Sequence, residues 1–135
     1  MIIVLAHAVA VSAHGLAHAR LHVVLSPAEM LFVYAVIVLG PLLSLVLLWT
    51  RLVRMGAFLL LGSMAASLLF GAYKHFLAAG PDHIFHLPPG AWQTPFQITA
   101  ALLAGTEALG CWAAAQVLGA SRLVRATEFR GQPKE

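Results

Sequence analysis

Four apolar runs, each of about 20 residues or more, divide this chain of 135 residues. A run of that length crosses a hydrocarbon core about 30 Å thick as one helix. The expected fold is therefore all-α: an integral membrane protein built as a four-transmembrane-helix bundle, with both termini cytoplasmic. Composition agrees. The chain is 61% hydrophobic and 10% charged, where soluble domains carry about 25% charged residues.

The spans read as about 2–25, 27–50, 55–77 and 92–118, a single membrane domain over 1–135 that ends in a basic tail, 119–135. Ser26-Pro27-Ala28-Glu29 separates the first two. Ser26 is placed to cap the second helix, with Pro27 at its first position and Glu29 at its third. Gly40-Pro41 marks a kink in that helix. Small residues recur on the third span at Ser63, Ser67 and Gly71, and His75 continues the row. With the alanines of the first span, this row predicts close packing of the first helix against the third.

Positive charge sets the orientation. Arg51 and Arg54 flank the short second turn, and Arg122, Arg125, Arg130 and Lys134 follow the fourth span. Both regions are expected on the cytoplasmic side of a plasma or inner membrane, which turns the 78–91 loop outward. Arg20 and Lys74 dissent, but both lie near outer helix ends, where long side chains snorkel. The first span lacks a basic stretch before it and is interrupted by histidines, so it is read as retained rather than as a cleaved signal.

Some functions are excluded. The net charge is +3, but the basic residues flank apolar runs and form no patch for nucleic acid. One cysteine, Cys111, leaves no intramolecular disulfide and no thiolate metal motif. There is no nucleophile elbow, phosphate-binding loop or dinucleotide fingerprint.

Histidine carries the functional signal. His7, His14, His18 and His22 follow one another at spacings of seven, four and four residues, within an arc of roughly 80° on a helix. Imidazoles in an apolar span need a partner, a metal, water or a cofactor. Neighbours at four-residue spacing can ligate one metal from the same side. His75, Asp82, His83 and His86 fall near the same outer end. The expected site is a transition metal (zinc, copper or iron) held by His14, His18, His22, His75, Asp82, His83 and His86. Imidazole suits these metals. Glu107 lies roughly 22 Å down the fourth helix and His7 a similar distance down the first. That predicts a buried His7–Glu107 pair beneath the site, fit for moving the metal or a proton.

Two alternatives use the same residues. One is a haem- or quinone-binding electron-transfer subunit, with His75 opposite His14 or His18. The other is a non-catalytic accessory subunit. The expected partners are the lipid bilayer, with either further copies of the chain or the subunits of a larger membrane complex.

Overall fold

Ser26 and Glu29 form the reciprocal cap that their spacing predicts. The Glu29 N–H donates to the Ser26 hydroxyl at 3.3 Å, and the Ser26 N–H donates to the Glu29 carboxylate at 2.7 Å. Pro27 begins the helix. This turn is the first of three joining four helices in the computed structural model. The model describes the backbone of residues 1–130 and the side chains of residues 1–120. The side chains of Arg122, Arg125 and Arg130, and all of Lys134, lie outside the described residues.

The helices are α1 (Ile2–Leu21), α2 (Pro27–Leu48), α3 (Val53–Leu77) and α4 (Gln93–Arg130). Among the described residues there is no strand. Each helix is long and apolar enough to cross a membrane, α4 over Gln93–Ala120. The segment 119–130, expected as the start of a tail, continues α4 as helix.

The first helix stops earlier than its composition predicts. His22 takes a left-handed conformation (φ 55°, ψ 29°), and the Val23 N–H closes back on the His18 carbonyl at 3.1 Å. Such a closure satisfies the last carbonyls and ends the helix. The hydropathy of Val23 to Leu25 gives no sign of it.

Two stretches widen into π-helix, Val33–Leu39 within α2 and Tyr73–Leu77 at the end of α3. The first runs up to Gly40-Pro41, where a kink is expected. Proline lacks the N–H that would donate to Ile37, so the preceding turns relax.

The packing order corrects one expectation. α4 lies between α1 and α3, and α2 packs on α3, whereas α1 has few backbone approaches to α2 and fewer to α3. The row of small residues on α3 therefore serves α2 and α4. A Cβ at Gly40 of α2 would fall 2.7 Å from the Ser63 Cβ, and one at Gly71 would stand 4.0 Å from Glu107 Oε2 of α4. Two apolar clusters hold the bundle. Val4, Leu60, Met64 and Ala114 fill one end. Ala17, Val23, Leu87 and Phe96 fill the other, beneath the loop between α3 and α4. Cys111 packs against the first cluster, as a small core residue does.

Candidate metal centre

His14 and His18 lie one turn apart on α1 and face inward. Opposite them, the π-helical end of α3 presents His75. The Ala78 N–H reaches back five residues to the Tyr73 carbonyl at 2.7 Å, and this wider turn carries His75, which is 7% exposed. Such π turns often occur at functional sites. The loop after α3 folds back over the bundle end. The Ile84 N–H donates to the His75 carbonyl at 3.0 Å, and the Gln97 amide donates to the Ile84 carbonyl at 2.8 Å. Leu87 and Asp82 are thereby buried. Phe96 of α4, fully buried, forms a wall with its ring centroid 4.5, 5.0 and 5.4 Å from those of His14, His18 and His75.

One nitrogen from each of His14, His18 and His75 lies within 4.8 Å of the others, a group able to hold a metal ion. The remaining nitrogens identify which ones. His18 Nδ1 faces the Val23 carbonyl at 3.3 Å, and His75 Nδ1 faces the Asp82 carbonyl at 3.0 Å. Carbonyls only accept, so both Nδ1 atoms carry the proton. His14 Nδ1 stands 2.9 Å from the Thr99 hydroxyl, whose own proton is directed at the Pro95 and Phe96 carbonyls at 2.8 and 3.0 Å. With that proton so engaged, the hydroxyl accepts from His14 Nδ1 in the tautomer that leaves Nε2 bare. That tautomer of His14 leaves all three rings with a bare Nε2, whereas the other lets His14 Nε2–H donate to His75 Nε2.

Those bare nitrogens face other acceptors. His14 Nε2 and His75 Nε2 are 3.2 Å apart, and His18 Nε2 is 3.3 Å from Asp82 Oδ1. Two lone pairs at such distances repel unless a proton or a metal cation lies between them. Nitrogens bound at about 2.0–2.1 Å to one tetrahedral zinc stand about 3.3–3.4 Å apart, close to the His14–His75 spacing. The 4.8 Å limit of the group is wider, so His18 must move inward to complete such a site. Donation of each Nδ1–H to a protein acceptor is the usual support for a metal-bound imidazole.

Asp82 adds negative charge. Both carboxylate oxygens are buried without a hydrogen bond, and Oδ1 is 3.2 Å from His75 Nδ1. Burial pushes this carboxyl up. The adjoining His75 ring and the charges of His75, His18 and Lys74 pull it down, and the net effect holds it below its ordinary range. Lys74 Nζ is 4.0 Å from Oδ2 but bonds Glu29 at 2.8 Å. Asp82 is thus placed to orient two of the histidines or to ligate beside them.

Other expected ligands lie apart from the group. His22 is exposed at the end of α1, because its left-handed backbone takes it off the stripe. His83 and His86 stack on each other with centroids 4.4 Å apart, and the His83 Nδ1 accepts from the Phe85 N–H at 3.3 Å. The same fold that turns Asp82 inward leaves His86 exposed and His83 partly exposed.

The expected His7–Glu107 pair is replaced by other contacts. His7, 1% exposed, donates from Nε2 to the Ile37 carbonyl at 3.1 Å, and its Nδ1 lies 3.4 Å from the Thr106 hydroxyl. Pro41 occupies the position that would donate to Ile37 in an α-helix, so His7 supplies the missing donor. Glu107 is 3% exposed and faces Gly71 and the side of the cavity below His75.

Thr99, Phe96 and the Val23 carbonyl belong to the site but did not stand out in the sequence. A threonine in an apolar helix was the one signal available. No family model matches the chain, and no curated protein and no solved structure matches it.

Proposed function

We propose that this chain is a small polytopic membrane protein that binds a transition metal through Nε2 of His14, His18 and His75. What supports the reading is the convergence of His14, His18 and His75, whose Nδ1 atoms each have a protein partner and leave Nε2 for a metal. Three neutral imidazoles suit zinc, copper or iron. Three protein ligands with one open position are the arrangement of metal sites that act on a ligand rather than only brace a fold. Asp82 adjoins that position and offsets part of the metal's charge.

The site lies near the bundle end carrying the 78–92 loop. By the distribution of Arg51, Arg54 and the basic residues after α4, that end faces outward and both termini are cytoplasmic. Large apolar side chains such as Val9, Val46, Leu69 and Leu109 are exposed, as lipid contact requires. A haem between His14 and His75 fits poorly. Two axial nitrogens in line through one iron stand about 4 Å apart across the macrocycle, whereas these are 3.2 Å apart with no plane between them. A route through His7 is likewise disfavoured, since its N–H is fixed on a helix carbonyl.

Elemental analysis of protein purified in mild detergent tests the reading. The expected result is close to one equivalent of zinc, copper or iron, lost in His14→Ala/His18→Ala protein of unchanged helix content. Metal at background level after reconstitution with each of the three would overturn it.

A further inference from the structure

Below the histidines, a cavity of about 830 Å³ runs between the helices. That volume is in the range of sites for small organic ligands, about 300–1,000 Å³. Its walls are largely apolar and come from all four helices, with Val11, Ile37, Phe70 and Leu103 among them. Its exposed lining residues, among them Gly15, Ala19, Val24 and Tyr34, come from α1, α2 and the turn between them, which places its open side there. Tyr34, on that side, is 57% exposed. In a membrane this opening meets lipid rather than water.

Polar groups converge at one region of the wall. His14, His18, His75 and Asp82 line the loop end, and Glu107 lines the cavity below them. Glu107 has no hydrogen bond or ion pair with any described residue, although it is 3% exposed. An unpartnered carboxyl in an apolar wall is costly. Between Glu107 and His75 the wall is bare. A methyl at Gly71 would stand 3.8 Å from His75 Cδ2 and 4.0 Å from Glu107 Oε2, so glycine keeps open the space that joins the carboxyl to the histidines.

We propose that this cavity binds a bilayer-soluble molecule with an apolar body and a single hydroxyl head, an alcohol or phenol that enters between α1 and α2. The apolar walls take the body. Glu107 accepts a hydrogen bond from the hydroxyl, whose oxygen is directed past Gly71 toward the open position of the metal. The second contact rests on the metal reading above; the contact with Glu107 does not.

Radiolabelled para-dodecylphenol, with dodecylbenzene as its hydroxyl-free counterpart, tests this in phosphatidylcholine nanodiscs holding the full chain. A hydrogen bond to a buried polar group is worth about tenfold in affinity. The expected result is a preference for the phenol of about that size, beyond the preference of empty nanodiscs. Glu107→Leu abolishes it. Gly71→Ala, whose added methyl meets only ordinary contact distances and leaves the fold intact, abolishes it as well. A Glu107-dependent preference that persists after chelation supports the cavity even if the metal reading fails. Protein that retains metal but shows equal retention of the two probes, or a preference unchanged by both substitutions, overturns the proposal and leaves the metal reading standing.

Discussion

His14 Nε2 and His75 Nε2 approach to 3.2 Å across the centre of the bundle, and the Nδ1 atom of each ring has a protein partner of its own. Such a contact holds with either a proton or a metal cation between the two nitrogens. Removal of either ring should release the metal. His75→Ala is expected to reduce bound metal to background, whereas His22→Ala, His83→Ala and His86→Ala keep the full equivalent. Metal stoichiometry of the four purified variants checks this.

Thr99 holds His14 by its Nδ1 proton. Thr99→Val keeps the shape and loses the acceptor, leaving the ring free to turn. Metal affinity should fall about 10- to 100-fold, the usual effect of losing such a supporting bond. Competition with a chelator of known affinity measures the change, and circular dichroism reports whether the helices persist.

His7 is expected to matter for stability and not for metal. His7→Leu leaves the Ile37 carbonyl without its side-chain donor, a loss of about 1 kcal/mol for a hydrogen bond between membrane helices. Pro41→Ala restores a backbone N–H at the position that an α-helix would use. The double variant should therefore regain part of the loss. A double-mutant cycle on thermal unfolding in detergent measures the coupling, and bound metal is expected to be unchanged throughout.

Two pH effects differ in origin. Metal binding needs unprotonated Nε2 atoms, so protons compete with the metal and affinity falls as pH drops. In chelated protein, the Asp82 carboxyl gives the second effect. Its carboxyl is held below the ordinary 3.8 in the folded chain, so the folded form binds that proton less tightly than the unfolded one. The stability it contributes is complete above the ordinary value and is lost as pH falls through the lowered one. Asp82→Asn should flatten this acid limb, which unfolding temperature against pH measures.

Much of this was legible in the chain. Run length gives the four helices, and residue type at fixed spacing gives the Ser26–Glu29 cap. Spacing on one helix also pairs His14 with His18, and position at the outer end of α3 adds His75, although the row of small residues before it packs on α2 and α4 rather than on α1. What escaped depends on the backbone leaving its ideal path. His22 shares the stripe only while α1 stays helical, and one left-handed residue removes it. The packing order of four similar apolar helices is not encoded in hydropathy, so His7 was matched to Glu107 by depth when its partner was a carbonyl freed by Pro41. In the loop, Asp82 and His83 are adjacent in sequence, yet the chain buries the first and leaves the second partly exposed.

X-ray absorption at the edge of the bound metal tests the central claim most directly, because imidazole scattering counts the histidines. Three imidazole nitrogens at about 2.0–2.1 Å are expected in the wild-type protein, with the metal lost in His75→Ala. A metal without imidazole neighbours, or one that keeps its spectrum after His75→Ala, would contradict it.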